Sequence, residues 1–275
     1  MTHATNVSLE DPYAAWVGID WADEEHAVAL RAAGSQVVER TPLAQTPEAI
    51  DGWAQRLRQR FDGRLIAVCL EQAKGALIYA LMKYDHLVLF PLNPVRLAYY
   101  RKARTPSGAK DDPGDAALLL RYLVEHRDEL RPWRPDDQAT RLLRLLVEQR
   151  REVLQLRTRL TNQLTEQLKR TFPQALALVS DDLTTALAAE FLLRWPSLEK
   201  LRLEPPETLR QFYEDHGSRQ VKVIQQRLDL LARAQPLTTD PAILQAADLQ
   251  ITLLARLLRD LIEPLRQHDR QIAAV

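Results

Sequence analysis

Two acidic residues, Asp20 and Glu71, each end a short apolar run that is typical of a buried β-strand. Asp20 ends the run WVGID at 16–20, and Glu71 ends the run VCLE at 68–71. In an open sheet with crossover helices, ligands bind beyond the carboxyl ends of the strands. Two acids at the ends of adjacent strands would therefore point into one crevice.

A second acidic pair, Asp112 and Asp115, lies in the segment KDDPGDA at 110–116. A three-residue spacing at the start of a helix puts both side chains on one face. Four carboxylates close together repel one another unless a cation neutralises them, and hard divalent cations prefer oxygen ligands. The sequence therefore predicts that Asp20, Glu71, Asp112 and Asp115 bind Mg²⁺ or Mn²⁺. Two such ions about 3.5–4 Å apart would activate a nucleophile and stabilise the leaving oxygen of a phosphodiester.

Each of these acids also has a simpler explanation. An acid at the end of a strand is often a solvated loop residue, so a single match is only a hypothesis. Asp112 as a helix cap, Pro113 as first helical residue and Asp115 as third would form a helix start that needs no metal. The combination of all four acids, in this order, favours the metal site.

Short apolar runs and helical patterns alternate over residues 14–92, which predicts a mixed five-stranded α/β sheet with flanking helices. The predicted strands are 14–21, 26–32, 36–40, 65–70 and 87–92, and the predicted helices are 47–61 and 76–82. The first three strands should form a meander. The fourth is apolar on both faces and is expected at the centre of the sheet. Thr46 should cap helix 47–61, with Pro47 as its first residue.

After residue 112 the chain is rich in Leu, Arg, Gln and Glu and has helical periodicity. A leucine stripe over 137–170 predicts an extended helix that packs in a helical hairpin or an intermolecular coiled coil. Its members are Leu142, Leu146, Val153, Leu156, Leu160, Leu164 and Leu168. We therefore predict an N-terminal tail at 1–13, an α/β domain at 14–132 and an all-α coiled-coil or helical region at 133–275, with a homodimer or tetramer formed through the long helices.

Several short motifs, taken together, resemble the N-terminal domain of DEDD transposases of the insertion sequence 110 family, which includes Piv-type DNA invertases and bridge-RNA-guided recombinases. The motifs are GID at 18–20, LE at 70–71 with Gly75 after it, NP at 93–94 and KDDPGDA at 110–116. The resemblance covers about residues 14–130 and, more loosely, the helical stretch that follows. It implies an RNase H-like, RuvC-like fold with Asp20, Glu71, Asp112 and Asp115 as the catalytic, metal-binding tetrad.

The resemblance also implies a function: Mg²⁺-dependent cleavage and strand transfer in DNA transposition, with the element ends, target DNA and a structured guide RNA as partners. Two positions depart from the family pattern, Asp111 where threonine is usual and Lys74 where threonine precedes Gly75. The family has a C-terminal domain with a serine nucleophile, introduced by a glycine-rich segment. Only Gly217 follows residue 114, so we expect a truncated form that lacks this domain.

A basic stretch with two tyrosines precedes the second acidic pair. It contains Arg96, Tyr99, Tyr100, Arg101, Lys102, Arg104 and Lys110. Cations for phosphates and aromatic faces for bases are the usual means of binding a nucleic-acid strand. Residues 141–170 carry eight basic and three acidic side chains, and we expect Arg150, Arg151 and Arg157 to contact phosphates. The alternative for this helix is that it is rich in arginine for solubility.

Composition excludes several other classes of protein. The 275 residues are 46% hydrophobic and 27% charged, and 37 basic side chains balance 37 acidic ones, so any basic surface must be local. The single cysteine, Cys69, excludes an internal disulfide and a multi-cysteine zinc site. No apolar run approaches the 18–20 residues of a membrane helix and no signal peptide is evident. We expect a cytoplasmic protein without a membrane partner.

Two rival functions stay open at this point. One is a metal-dependent nuclease resembling a Holliday-junction resolvase, which cuts with an activated water. The other is a non-catalytic nucleic-acid-binding assembly module in which the leucine stripe is the working part.

Overall fold

A computed structural model describes residues 12–71, 75–104, 112–179, 182–218 and 220–275, and in addition the side chains of Arg104, Asp112 and Pro113 lie outside the description. The chain divides into an α/β unit up to Pro135 and a helical unit from Asp136. This division falls slightly later than the predicted boundary at 132/133. Most of the predicted tail, 1–13, lies outside the described residues.

The α/β unit is built on one five-stranded mixed sheet. Its elements are β1 (Ala15–Asp20), β2 (Glu25–Ala32), β3 (Glu39–Ala44), α1 (Pro47–Arg60), β4 (Ile66–Leu70), α2 (Ala76–Leu81), β5 (Leu87–Pro91), α3 (Pro94–Arg104) and α4 (Asp112–Glu125). The strand order is β3-β2-β1-β4-β5. β2 is antiparallel to both of its neighbours, and β4 is parallel to both β1 and β5. The predicted RNase H-like α/β fold is confirmed.

The third strand was placed wrongly by the sequence. The prediction was 36–40, but β3 begins at Glu39 and pairs with β2 as far as Ala44 opposite Glu25. Val37 and Val38, whose apolar character suggested a strand, are 67% and 41% exposed, whereas Leu43 is only 3% exposed. The burial of Leu43 therefore determines the register in which β3 pairs with β2.

β4 is an interior strand of the sheet, with β1 on one side and β5 on the other, as the sequence predicted. All five residues of β4 are buried as predicted, because helices cover both faces of the sheet and β4 has a strand on either side.

The two helix layers pack on opposite faces of the sheet. α1 buries Ile50, Trp53 and Leu57 against one face, and α3 and α4 bury Leu97, Leu119 and Leu123 on the other. The predicted start of α1 is confirmed, since the Thr46 hydroxyl accepts a hydrogen bond from the Ala49 amide at 3.2 Å. Trp53 is a packing residue, only 6% exposed.

Gly18 allows α4 to lie directly on β1. A Cβ atom at this position would stand 2.2 Å from the Ala116 carbonyl oxygen and 2.5 Å from the Leu120 amide nitrogen. Real side chains do not make contacts this short with backbone atoms, so only glycine fits here. The start of α4 is therefore held against the strand that carries Asp20.

The helical unit consists of helices throughout its described residues. These are α5 (Gln138–Thr171), α6 (Gln174–Leu178), α7 (Ala186–Arg194), α8 (Leu198–Arg202), α9 (Pro206–Asp215), α10 (Val221–Arg233), α11 (Pro241–Asp260) and α12 (Ile262–Ala274). The predicted long helix is confirmed as the 34-residue α5, capped by Asp137. Hydrogen bonds from Thr140 hold the pKa of the Asp137 carboxyl below its usual value.

The leucine stripe of α5 has two different halves. Leu160, Leu164 and Leu168 are buried in the core of the helical unit together with residues of α7 and α11. In the first half of the stripe, Leu142 and Leu156 are 45% and 38% exposed. Arg150 of this half bonds to Asp269 of α12 at 2.5 Å. α11 packs near the later part of α5, and α12, which follows α11 in the chain, contacts the earlier part of α5. α11 and α12 therefore run antiparallel to α5.

One helical stretch among the described residues, 241–274, is long and apolar enough to cross a membrane by length and composition, which is weak evidence for a span. Its first helix, α11, buries Ile251, Leu254 and Leu258 in the core of the helical unit. This packing accounts for part of the apolar character of the stretch, since Leu249, Leu253 and Leu257 of α11 are 71%, 49% and 40% exposed.

Candidate active site

Asp20 and Glu71 lie side by side at the ends of two neighbouring parallel strands, β1 and β4. In the β1–β4 register Ile19 is opposite Leu70, so the next residue on each strand is one of the two acids. Neighbouring strands lie about 4.8 Å apart. Trp21 and Glu71 also border the same small cavity, of about 50 Å³. The carboxyl edge of the sheet thus brings together the two strand-end acids that the sequence singled out.

The direction of α4 places its first turn at this same edge. Ala116 borders a cleft with residues 25–28 of β2, and Ala27 is the register partner of Asp20. One helical turn later, Leu120 borders a cleft with Arg31, which is opposite the earlier β1 residue Trp16. α4 therefore runs antiparallel to β1. The turn that holds Asp112 and Asp115 lies at the Asp20 end of the strand.

Asp115 makes a two-pronged ion pair with Arg101. Arg101 Nε donates to Asp115 Oδ1 at 3.0 Å and Arg101 Nη2 donates to Oδ2 at 2.7 Å. The Asp115 side chain is only 9% exposed and that of Arg101 is 30% exposed. A bidentate pair of this kind is among the stronger hydrogen-bonded arrangements. In this conformation both carboxylate oxygens of Asp115 face a guanidinium group.

The complete tetrad stays a prediction. The side chain of Asp112 lies outside the described residues, as do Asp111 and Lys110. Among the side chains that are described, there is no group of three or more His, Cys, Asp or Glu residues arranged to hold a metal. Carboxylate oxygens at one sheet edge have the right chemistry for Mg²⁺, and Asp20 and Glu71 fit such a site by type and position. Asp115 would have to leave Arg101 to join them.

Helix α3 presents a cationic face next to this edge. Arg96, Tyr99 and Lys102 are exposed, Tyr99 at 71%, and a nucleic acid could reach all three. Tyr100 is held by α4, because its hydroxyl donates to Glu125 at 2.7 Å and its ring lies edge-on to Tyr122. The Arg104 side chain is outside the description. The stacking role predicted for Tyr100 is thus less readily available than that of Tyr99.

The basic residues of α5 differ in their surroundings. Arg150 is paired with Asp269, so part of its charge is already balanced. Arg151 is exposed, and Arg157 lies near enough to Asp182 to contribute to the lowered pKa of that carboxyl, which hydrogen bonds from Thr184 mainly cause. Of the three predicted phosphate contacts on α5, Arg151 is therefore the most accessible.

A cleft that sequence analysis missed lies beside α4. Its volume is about 660 Å³, and arginines from three parts of the chain, Arg31, Arg40 and Arg121, border it together with Arg101 and Asp115. Single arginines in a strand or a turn give no local signal. Only the packing of α4 across β2, next to β3, brings them together.

Two histidines and the cysteine of the α/β unit have structural roles. His26 and His86 are 1% exposed, and each forms a hydrogen bond through its Nε2, His26 with Gln45 at 2.6 Å and His86 with the Ala54 carbonyl at 3.0 Å. Burial raises the pKa of the Cys69 thiol to about 12, which keeps it protonated and unreactive.

The fold and this edge define an RNase H-like α/β unit followed by a helical unit, and sequence comparison identifies the family. The family model for DEDD transposases of insertion sequence 110, described as transposase, matches residues 17–173. This is more than half of the chain, and the chain belongs to that family, as the sequence motifs indicated.

Two named transposases are similar to the chain. A Streptomyces coelicolor protein named as the mini-circle transposase for IS117 is 27% identical over 169 residues, which is 61% of this chain and 41% of that protein. A Sinorhizobium fredii protein named as transposase y4uE is 29% identical over 198 residues, which is 67% of this chain and 51% of that protein. The chain thus spans about half the length of these relatives or less.

Proposed function

We propose that the chain carries the metal-dependent catalytic region of a DNA transposase, which cleaves phosphodiester bonds and transfers the strands. Asp20, Glu71, Asp112 and Asp115 would hold Mg²⁺ or Mn²⁺. The observation that carries the proposal is the meeting of three elements at one edge: the ends of β1 and β4 and the first turn of α4. No other part of the described chain collects acids from separate elements around the end of a buried parallel strand pair.

The residues divide the work according to their position. Asp20 and Glu71 extend from a rigid, doubly covered sheet, which fixes oxygen ligands more accurately than a loop would. A divalent cation held there would polarise a phosphoryl oxygen and activate the nucleophile. Asp115 would join this ligand set when a phosphate group takes over its guanidinium partner, Arg101. Binding of the substrate and completion of the site would then be coupled.

The exposed side chains of α3 would hold the nucleic acid beside the acids. Arg96 and Lys102 can neutralise phosphates, and the exposed ring of Tyr99 can stack on a base. The partners proposed are the element ends, target DNA and a structured guide RNA. The last is supported by resemblance to the bridge-RNA-guided members of the family alone.

Divalent-cation binding tests the metal site directly. Mn²⁺ affinity would be measured by electron paramagnetic resonance and Mg²⁺ affinity by competition. Asp20→Asn removes a ligand charge at the sheet edge and should weaken binding at least tenfold, about 1.4 kcal/mol. Glu48→Gln is the matched control, since Glu48 is exposed in the first turn of α1, on the opposite face of the sheet. Equal affinity of wild type and Asp20→Asn would remove the proposed site.

The type of reaction is tested on DNA. The chain would be incubated with Mg²⁺ and either linear element ends or a four-way junction, and the products would be resolved by length. Joining of element ends is expected only when the serine-containing domain of the family is also supplied, and should then be lost with Asp20→Asn. Metal-dependent junction nicking by the chain alone would instead indicate a resolvase-like nuclease.

A further inference from the structure

The cleft beside α4 is bordered by more cationic than anionic side chains. The charged residues are Arg31 of β2, Arg40 of β3, Arg101 of α3, Asp115, Arg121 and Glu125 of α4. Apolar side chains, including Val38, Leu118 and Val124, form the rest of its wall. The volume of about 660 Å³ is far more than one phosphate group occupies.

The arginines of the cleft differ in how well their charge is balanced. Arg101 is satisfied by Asp115, and Arg121 lies 3.8 Å from Glu125 in an exposed pair. Exposed pairs of this kind contribute little. Arg31 and Arg40 have no ion-pair partner within the described ranges. The cleft therefore keeps positive charge for a partner.

Arg31 supplies a second, independent sign of a ligand. Its guanidinium group lies over the indole of Trp16, 5.1 Å from the ring centroid, which fixes the side chain beside the cleft. Its Nε atom is buried and has no hydrogen-bond partner in the described part of the chain. A buried donor without an acceptor is unfavourable by about 1–3 kcal/mol. A rotation of the side chain towards the cleft would let an acceptor oxygen of a bound molecule satisfy it.

We propose that this cleft binds the sugar-phosphate backbone of a nucleic acid, with Arg31 and Arg40 as phosphate contacts. Guanidinium groups recognise phosphate oxygens in pairs, and the apolar wall suits sugars and base faces. Because Arg101 borders the cleft and bonds to Asp115, the cleft opens next to the first turn of α4. A strand bound there would continue towards the edge that carries Asp20. The choice of nucleic acid over another polyanion rests on the proposed function.

The test measures binding of a labelled 30-nucleotide strand by fluorescence anisotropy in EDTA, so that no divalent cation contributes. The double variant Arg31→Gln/Arg40→Gln should lose at least tenfold in affinity. The slope of log K against log salt should fall by up to about 2, since each phosphate contact contributes about 0.7–0.9. DNA, RNA and duplex DNA are compared, and the preferred strand identifies which nucleic acid occupies the cleft.

The matched control is Arg56→Gln/Arg64→Gln. Both residues are exposed, on α1 and on the loop before β4, so the change in net charge is identical but lies away from the cleft. Its affinity should change less than twofold. If the two double variants lose the same affinity, only net charge matters and the cleft is not the site. Competition by polyglutamate as strong as that by nucleic acid would also overturn the proposal.

Two further measurements separate the possible causes of failure. Arg40→Gln alone should lower the affinity for the strand about threefold. The Arg40 side chain is exposed and does not support the Trp16 ring, so this variant keeps the proposal testable if Arg31 variants do not fold. Mn²⁺ affinity of Arg31→Gln/Arg40→Gln should equal that of the wild type. Loss of strand binding with normal Mn²⁺ binding supports the cleft whatever the Asp20→Asn result, whereas unchanged strand binding overturns it.

Discussion

The two units of the chain use burial in opposite ways. In the α/β unit, charged groups lie at the rim of the buried sheet. One of them, Asp115 of α4, is buried against Arg101. The helical unit has an apolar and aromatic core, in which Trp195 lies 5.2 Å from Phe191 and 5.0 Å from Phe212 between ring centroids. Its buried arginine, Arg227, lies over the ring of Tyr213 at 4.5 Å.

This difference fits the proposed division of roles, in which the sheet edge binds metal and nucleic acid and the helical unit provides stability. Buried ion pairs are sensitive to the loss of one partner but add little net stability, which suits a site that must exchange partners. An aromatic core adds stability through area and packing and has no partner to exchange. We therefore expect substitutions in the helical unit to change stability, and substitutions at the sheet edge to change binding as well.

The largest effect should come from the aromatic core of the helical unit. Trp195 is 1% exposed, and Trp195→Ala leaves a large cavity, which should lower the free energy of unfolding by about 3–5 kcal/mol. Hydrogen exchange of α7 and α9 amides should report the change. Mn²⁺ affinity of the folded protein should not change. A loss of Mn²⁺ binding in protein that is still folded would contradict the separation of the two units' roles.

A smaller effect is expected where α4 crosses β1. Gly18→Ala puts a methyl group into the Ala116 carbonyl and should cost about 3 kcal/mol through overpacking, with weaker Mn²⁺ binding because the first turn of α4 moves. In the control Gly52→Ala, inside α1, the new methyl group meets only the flexible end of Arg56 at 3.2 Å. That change should stabilise the protein by about 0.5–1 kcal/mol. Equal effects of the two variants on unfolding would refute the close-approach argument.

The sequence predicted elements best where one residue pattern determined them locally. The apolar runs that end in Asp20 and Glu71, the Thr46 cap and the long periodicity of α5 were sufficient for β1, β4, α1 and α5. The prediction for the third strand was wrong because Val37 and Val38 have strand-forming side chains but no core to bury them, whereas Leu43 packs into the core. Propensity was outweighed by tertiary burial.

The candidate site was predictable in part for the same reason. Strand-end acids and the spacing of Asp112 and Asp115 can be read along the chain, so their shared edge was expected. The pairing of Arg101 with Asp115 could not be read, because it depends on how α3 packs on α4. The cleft of Arg31 and Arg40 likewise exists only after three separate segments pack together.

The Arg101–Asp115 pair allows a test of the proposal that Asp115 leaves Arg101 to bind a metal ion. Arg101→Gln leaves the Asp115 carboxylate buried without its cation and should cost about 2 kcal/mol of stability, in line with hydrogen bonds to charged groups. Mg²⁺ should restore part of this loss, because the carboxylate regains a positive partner. Thermal unfolding in EDTA and in Mg²⁺ at roughly 100 times its Kd, where one bound ion adds about 2.7 kcal/mol of stability, measures both effects. Arg121→Gln, which loses only an exposed pair, should change stability by less than about 0.5 kcal/mol. Equal Mg²⁺ stabilisation of wild type and Arg101→Gln would argue against Asp115 as a metal ligand.

The smallest effect on stability, with a clear effect on assembly, is expected in the first half of α5. Leu142 and Leu145 are 45% and 37% exposed, so replacing both by glutamine should change the free energy of unfolding by less than about 0.5 kcal/mol. Exposed leucines at helical spacing favour association with a second helix, and we expect the wild type to sediment as a dimer or larger. The double variant should shift towards the monomer by at least about tenfold in dissociation constant, or about 1.4 kcal/mol.

A control on another helix decides whether the position or simply the exposed leucine matters. Leu249 of α11 is 71% exposed, more than either leucine of α5, but it is not part of α5. Leu249→Gln should therefore leave the sedimentation coefficient unchanged. If Leu249→Gln dissociates the assembly as strongly as the α5 variant, general hydrophobicity drives association and the first half of α5 has no special role. If neither variant changes it, the exposed half of α5 is not the assembly surface, and the helical unit would differ from the α/β unit only in its core.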